Sequence, residues 1–211
     1  MPRAVIFDLD GTLLDSVGDI AAAVNAVLAE VGLPVHQVSD FYQMVGEGAE
    51  VLLQRAVAPA ELRPEWLLRY KALYLQRMYD QTRVYPGVRG ALEQLTAVGV
   101  PLAVLSNKPH EATAALVHHY FPAVPWRAVA GQRPSWPRKP DPAAALDLCR
   151  ELRVAPGQCW FVGDTAVDLQ TARNAGMRAL GVTWGFRPAE AATAAHVADD
   201  AAQMLQFLLQ G

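Results

Sequence analysis

Apolar and polar positions follow two different rhythms along the 211-residue chain. Across residues 39 to 81 the apolar side chains, among them Val51, Leu52, Leu53, Val57, Trp66, Leu67, Tyr70, Tyr74 and Met78, recur mostly three and four positions apart. That spacing lines one face of a helix. An alanine-rich helical pattern over residues 18 to 31 precedes them, closed by the stop signals Gly32 and Pro34. No strand pattern interrupts this stretch, so residues 16–82 are expected to form an all-helical unit of about four helices, ended by the turn Val84-Tyr85-Pro86-Gly87.

On either side of that unit the rhythm changes. Largely apolar runs at residues 5–7, 102–105, 126–130, 159–162 and 179–183 read as strands, separated by helical patterns over 88–98, 111–120, 142–152 and 166–175, with a last amphipathic helix over 200–209. Strands that are apolar along most of their length and alternate with helices argue for a parallel sheet covered on both faces. The expected fold is therefore α/β, a Rossmann-like parallel sheet of five to six strands with helices on both faces. Residues 1–15 and 83–211 would build this core, and 16–82 the separate helical insert.

Composition narrows the partners. With 52% hydrophobic and 18% charged residues the chain can bury one sizeable core. A net charge of −3 and the lack of any Lys/Arg run leave no field to hold a nucleic-acid backbone. The apolar run at residues 4–7 is too short for a leader, and no segment approaches the ~20 apolar residues of a membrane span. A cytoplasmic protein without nucleic-acid or membrane partners is expected, as a monomer or homodimer. Cys149 and Cys159 stand in unrelated contexts, which suits a reducing compartment, and the five histidines show no metal-ligand spacing.

In open α/β sheets ligands bind beyond the carboxyl ends of the strands. The first strand ends in Asp8 and Asp10, which share a face as alternate residues, followed by Gly11 and Thr12. The second ends in Ser106-Asn107, the fourth in Gly163-Asp164 with Asp168 four positions on, and Lys139 lies in the loop before the helix that leads to the fourth. Each alone also reads as a turn, a helix cap or a surface charge. Together they place paired carboxylates, a hydroxyl, an ammonium and a second acidic cluster on one rim, a plausible site for a cation and a phosphate. Lys108, beside this set, is expected to be a solvated charge.

Asp8-Leu9-Asp10-Gly11-Thr12, Ser106-Asn107, Lys139 and Gly163-Asp164-Thr165-Ala166-Val167-Asp168 resemble, in order and spacing, the four motifs of the haloacid dehalogenase-like superfamily. The helical insert, with its loop Val45-Gly46-Glu47-Gly48, is similar to the small cap of the phosphoglycolate phosphatase-like branch. The resemblance implies a Mg²⁺-dependent phosphatase acting on a small phosphate monoester, with 2-phosphoglycolate as the named substrate. Asp8 would be the nucleophile that forms an aspartyl-phosphate, and Asp10 the acid and then the base. A dehalogenase expels halide and needs no proton, so the second acid favours phosphoryl transfer. Asp8, the backbone carbonyl of Asp10 and Asp164 would hold Mg²⁺, while Asp168 would hold a metal-bound water or orient Lys139. Ser106 and Asn107 would bind phosphoryl oxygens, Lys139 would neutralise charge in the transition state, and Thr12 would shape the nucleophile loop. In the cap, Glu47 and Arg55 are the candidates for contacts to the leaving group. The alternatives are a sugar-phosphate mutase of the same superfamily, which would return the phosphoryl group to its substrate, and a non-catalytic module that accepts phosphate.

Overall fold

The computed structural model describes residues 3–210. The chain runs β1 (Ala4–Phe7), β2 (Leu14–Asp15), α1 (Val17–Glu30), α2 (Val38–Met44), α3 (Ala49–Val57), α4 (Pro64–Arg77), β3 (Arg83–Val84), α5 (Val88–Ala97), β4 (Leu102–Pro109) and α6 (His110–Tyr120). It continues with β5 (Ala128–Gln132), α7 (Ala143–Leu152), β6 (Cys159–Gly163), α8 (Ala166–Ala175), β7 (Arg178–Val182), α9 (Pro188–Ala191), β8 (Val197–Ala198) and α10 (Ala201–Gln210). A six-stranded sheet has the order β5-β4-β1-β6-β7-β8, and every pairing in it is parallel. The expected α/β sheet with helices on both faces is thus the fold found. No helix among the described residues is long and apolar enough to cross a membrane.

The two-residue period of the strands divides the core. Val5 and Phe7 of β1, with Trp160 and Val162 of β6, face Leu92, Leu116, Met204 and Leu208 from α5, α6 and α10. Ala4 and Ile6, with Cys159 and Phe161, face Ala144, Leu148 and Ala172 from α7 and α8. Burial on both sides explains why these strands read as continuous apolar runs. Cys149 and Cys159 meet in this second layer, a correction to their reading as unrelated.

A second sheet escaped the sequence. Leu14–Asp15 pairs antiparallel with Arg83–Val84, lacing together the two crossings between the helices over 17–77 and the main sheet. Two-residue strands carry no periodicity to detect. Beside them, the buried Asp19 carboxylate accepts bonds from the Gln81 and Thr82 N–H groups, both at 2.9 Å, and from the Thr82 hydroxyl at 2.7 Å. Three donors onto one buried carboxylate offset its desolvation and fix the start of α1 to the returning strand. The third core strand also lies two residues later than expected, at 128–132. Trp126 instead packs edge-on against Phe7 and Phe121, at 6.4 and 6.1 Å between ring centroids.

Chain order reverses around β1: the path moves outward to β4 and β5, then returns to β6 on the other side. The carboxyl ends of β1, β4 and β6 therefore meet at a switch point, where an open α/β sheet leaves a crevice.

Candidate active site

Asp8 follows directly on β1, its N–H donating to the Val162 carbonyl at 2.9 Å, so the centre of the sheet fixes its backbone. The chain then turns tightly, with Gly11 N–H donating to Leu14 O at 2.9 Å. Gly11 has φ +84°, and a Cβ there would lie 2.2 Å from Asp164 Oδ2. Both the left-handed backbone and the close approach exclude a side chain. Thr12 is fully buried and donates to Asp164 Oδ1 at 3.2 Å.

Two elements bring in Lys139. Asn107, near the end of β4, accepts from Lys139 N at 2.8 Å and donates to Lys139 O at 3.1 Å, fixing the backbone on both sides of the Lys139 Cα. The same amide donates to Gly46 O at 3.1 Å, joining the α2–α3 loop to the strand ends. The buried Lys139 ammonium then donates to Asp168 Oδ1 at 2.6 Å and stands 2.8 Å from Asp8 Oδ1. Asp168 also accepts from the Thr165 N–H and hydroxyl, capping α8.

Asp8, Asp164 and Asp168 are all buried, with carboxylate oxygens within 4.8 Å of one another. Burial, opposed by Lys139 and aided by Asp168, pushes the Asp8 carboxyl up from 3.8 to about 7. Asp164 is held well above the usual carboxylate range by burial and by Asp168 and Asp8. Lys139 is raised despite its burial, because Asp168 and Asp8 both stabilise its charge. Asp8 Oδ1 is buried without an aligned hydrogen-bond donor, since Lys139 approaches it off the bonding line. Crowded oxygens with an unfilled acceptor are the donor set a hard divalent cation requires, and Mg²⁺ fits it.

The Asp10 side chain stands apart from this cluster. Its two oxygens lie 2.9 and 2.8 Å from the Lys108 ammonium, and Oδ1 also accepts from Ser16 Oγ. Lys108 is thus buried, not solvated as its sequence context suggested. The extension of β4 to Pro109 carries its side chain inward, and the ion pair offsets the loss of water. Glu47 and Arg55 pair with each other, with side chains 38% and 36% exposed, and Arg55 also donates to Met44 O. Neither lines the cleft, whose walls include Asp8, Asp10, Ser106, Lys108, Ile20, Leu52 and Tyr70.

The loop after β7 contributes what the sequence reading did not single out. Phe186 N–H donates to Asp164 Oδ2 at 2.8 Å, and Trp184 Nε1 donates to Thr12 O at 3.0 Å. Arg187 donates to the carbonyls of Tyr42, Gln43 and Val45, holding the end of α2 over the sheet. Applying the strand-end rule to the fifth strand would have drawn attention to Trp184-Gly185-Phe186. A Cβ on Gly185 would fall 2.2 Å from Gly11 O and 2.3 Å from Asp164 Cβ. Gly185→Ala is expected to cost about 1–3 kcal/mol of stability and to weaken Mg²⁺ binding by roughly 10- to 100-fold. The control is Gly90→Ala in α5, where a Cβ meets open space. Thermal melts and Mg²⁺ titrations of both variants check this, and equal behaviour of the two would remove the packing argument.

Comparison with known proteins places these residues in context. A family model described as haloacid dehalogenase-like hydrolase matches residues 2–176. The chain is 38% identical, over an alignment of 221 positions, to a phosphoglycolate phosphatase of Pseudomonas putida, covering all of this chain and 80% of that protein. A phosphoglycolate phosphatase of Xanthomonas campestris pv. campestris is 37% identical over 196 positions, covering 88% and 85% of the two chains. Among solved structures, a predicted phosphoglycolate phosphatase from Haemophilus somnus superposes with a TM-score of 0.88 at 31% identity, covering 98% of this chain and 97% of that one.

Proposed function

The chain belongs to the haloacid dehalogenase-like hydrolases and is a phosphoric monoester hydrolase, and from that premise we propose that it hydrolyses 2-phosphoglycolate with Mg²⁺ bound, through an aspartyl-phosphate on Asp8. The observation that carries this reading is the division of labour between carboxylates. Asp8 lies in a buried cluster with Asp164, Asp168 and Lys139, while the Asp10 side chain is held outside it, paired with Lys108 at the wall of the cleft.

Asp8, the backbone carbonyl of Asp10 and Asp164 would hold Mg²⁺. When bound, the ion offsets the repulsion between these carboxylates and an incoming phosphate dianion. Asp8 attacks phosphorus as the ester P–O bond breaks, and Asp10 gives its proton to the departing alkoxide oxygen. Asp10 then takes a proton from the water that attacks the aspartyl-phosphate, releasing inorganic phosphate and restoring Asp8. Ser106 and the Asn107 N–H bind the phosphoryl oxygens, and Lys139, oriented by Asp168, meets the charge that builds on them. Thr12 acts through Asp164, whose carboxylate it fixes.

Residues 16–82 serve as the cap and residues 1–15 and 83–211 as the core. The contacts of Asn107 with Gly46 and of Arg187 with the end of α2 support a cap that closes the cleft from water. The test is inorganic phosphate release from a panel of small phosphate monoesters, with Mg²⁺ and with a chelator. The expected result is Mg²⁺-dependent release with 2-phosphoglycolate ranked first. Substrate isomerisation without release of phosphate would favour the mutase instead.

A further inference from the structure

We propose that Lys108 is the specificity residue of the cleft, binding a carboxylate carried on the non-transferred part of the ligand. This rests on the reading of the cleft as a phosphate-ester site and extends it to the leaving group. Ser106 and Lys108 both line the cleft, and the Lys108 N–H donates to Ser106 Oγ at 3.2 Å, so a ligand whose phosphoryl group lies against Ser106 presents its other end near Lys108.

Charge in the cleft leaves one place for a second anion. The ionisable acids and bases lining it are Asp8, Asp10, Lys108 and the phenol of Tyr70. Burial raises the Tyr70 phenol above its ordinary value, so it is neutral and can only donate or accept a hydrogen bond. Lys108 is the one cation among these groups, so an anionic leaving group is drawn to its ammonium. That ammonium is held over the Tyr74 ring, 4.5 Å from its centroid, with a side chain only 5% exposed. An ammonium has three donors, and among the described residues its hydrogen-bond acceptors are the two oxygens of Asp10. It can therefore add a ligand carboxylate, or transfer to it, without being rebuilt.

The remaining walls limit size. Ile20 from α1, Leu52 from α3 and Tyr70 from α4 close the cleft around Lys108. The cleft between these walls is narrow, with a volume of about 40 Å³. Neither Glu47 nor Arg55 lines this space, so Lys108 takes over the part the sequence had given to them.

The experiment compares 2-phosphoglycolate with 2-hydroxyethyl phosphate, which replaces the carboxylate by a neutral group of similar size, in the native Mg²⁺-loaded protein and in Lys108→Met and Lys108→Arg. Phosphate release and calorimetric binding are both measured. Lys108→Met is expected to weaken kcat/KM for 2-phosphoglycolate by roughly 10- to 100-fold, mainly through KM, with a much smaller change for the neutral ester. Lys108→Arg is expected to recover part of the preference. Equal losses of kcat for both esters would overturn the proposal, showing that Lys108 acts only through Asp10. If the native protein turns over neither ester, binding decides: a carboxylate preference lost in Lys108→Met upholds Lys108 while the phosphatase reading fails, and no preference overturns both.

Discussion

Asp8→Asn is expected to reduce phosphate release by ~10⁴-fold or more, because an amide in place of the carboxylate would remove the proposed nucleophile, and no neighbour can replace it. Asp164 and Asp168 are already engaged by Thr12, Phe186, Thr165 and Lys139, and Asp10 is turned toward Lys108. The loss should come without unfolding. The Asp8 carboxyl titrates at 3.8 in an ordinary setting and is pushed up to about 7 in the fold, chiefly by burial. Between those values the native state keeps a proton that the unfolded chain gives up, so this group's contribution to stability falls as pH rises from about 4 to about 7 and is level above. Asp164 is shifted in the same direction and adds to the slope. In Asp8→Asn only the other acids remain to titrate. Thermal melts in chelator across this pH range should therefore show a shallower decline for the variant, which at pH 8 melts no lower than the native chain. Activity above one percent of native, or an unchanged slope, would count against Asp8 as the nucleophile in a crowded cluster.

The division between what the sequence announces and what it conceals follows from the range of the interactions. β1, β4 and β6 were legible because burial on both faces forces unbroken apolar runs, and their carboxyl ends located Asp8, Ser106 and Asp164 by a rule of topology alone. Lys108 was not legible: a lysine near a strand end is usually solvated, and its burial depends on Asp10, 98 positions away. Gly185 had the same difficulty, because its meaning lies in the distance to Gly11 and Asp164 in other loops. Glu47 and Arg55 were assigned to the leaving group from their position beside a glycine-rich loop, whereas in the structure their charges pair with each other at the surface, a contact no local pattern announces.

Lys139→Met is expected to lower both stability and turnover, and the two losses have separable causes. The buried ammonium stands between Asp8 and Asp168, and removing it leaves carboxylates facing each other without a counter-charge. Losing one partner of a buried pair costs about 3–5 kcal/mol, which in a chain of this length lowers the melting temperature by roughly 10 °C. Added Mg²⁺ should recover part of that loss, since a bound cation neutralises the same oxygens and binds only the folded state. Turnover should not recover with it: the charge developing on the phosphoryl group loses its fixed donor, a deficit of ~10²- to 10³-fold in kcat at temperatures where the variant is folded. Lys139→Arg should not restore the rate, because a planar guanidinium is larger than the space beside Phe161, whose ring centroid lies 5.5 Å from the ammonium. Recovery of both stability and kcat by Mg²⁺ alone would reduce Lys139 to a counter-charge. Recovery of stability without kcat assigns it a part in the transition state, and Asp168, which holds it in place, shares that part by position.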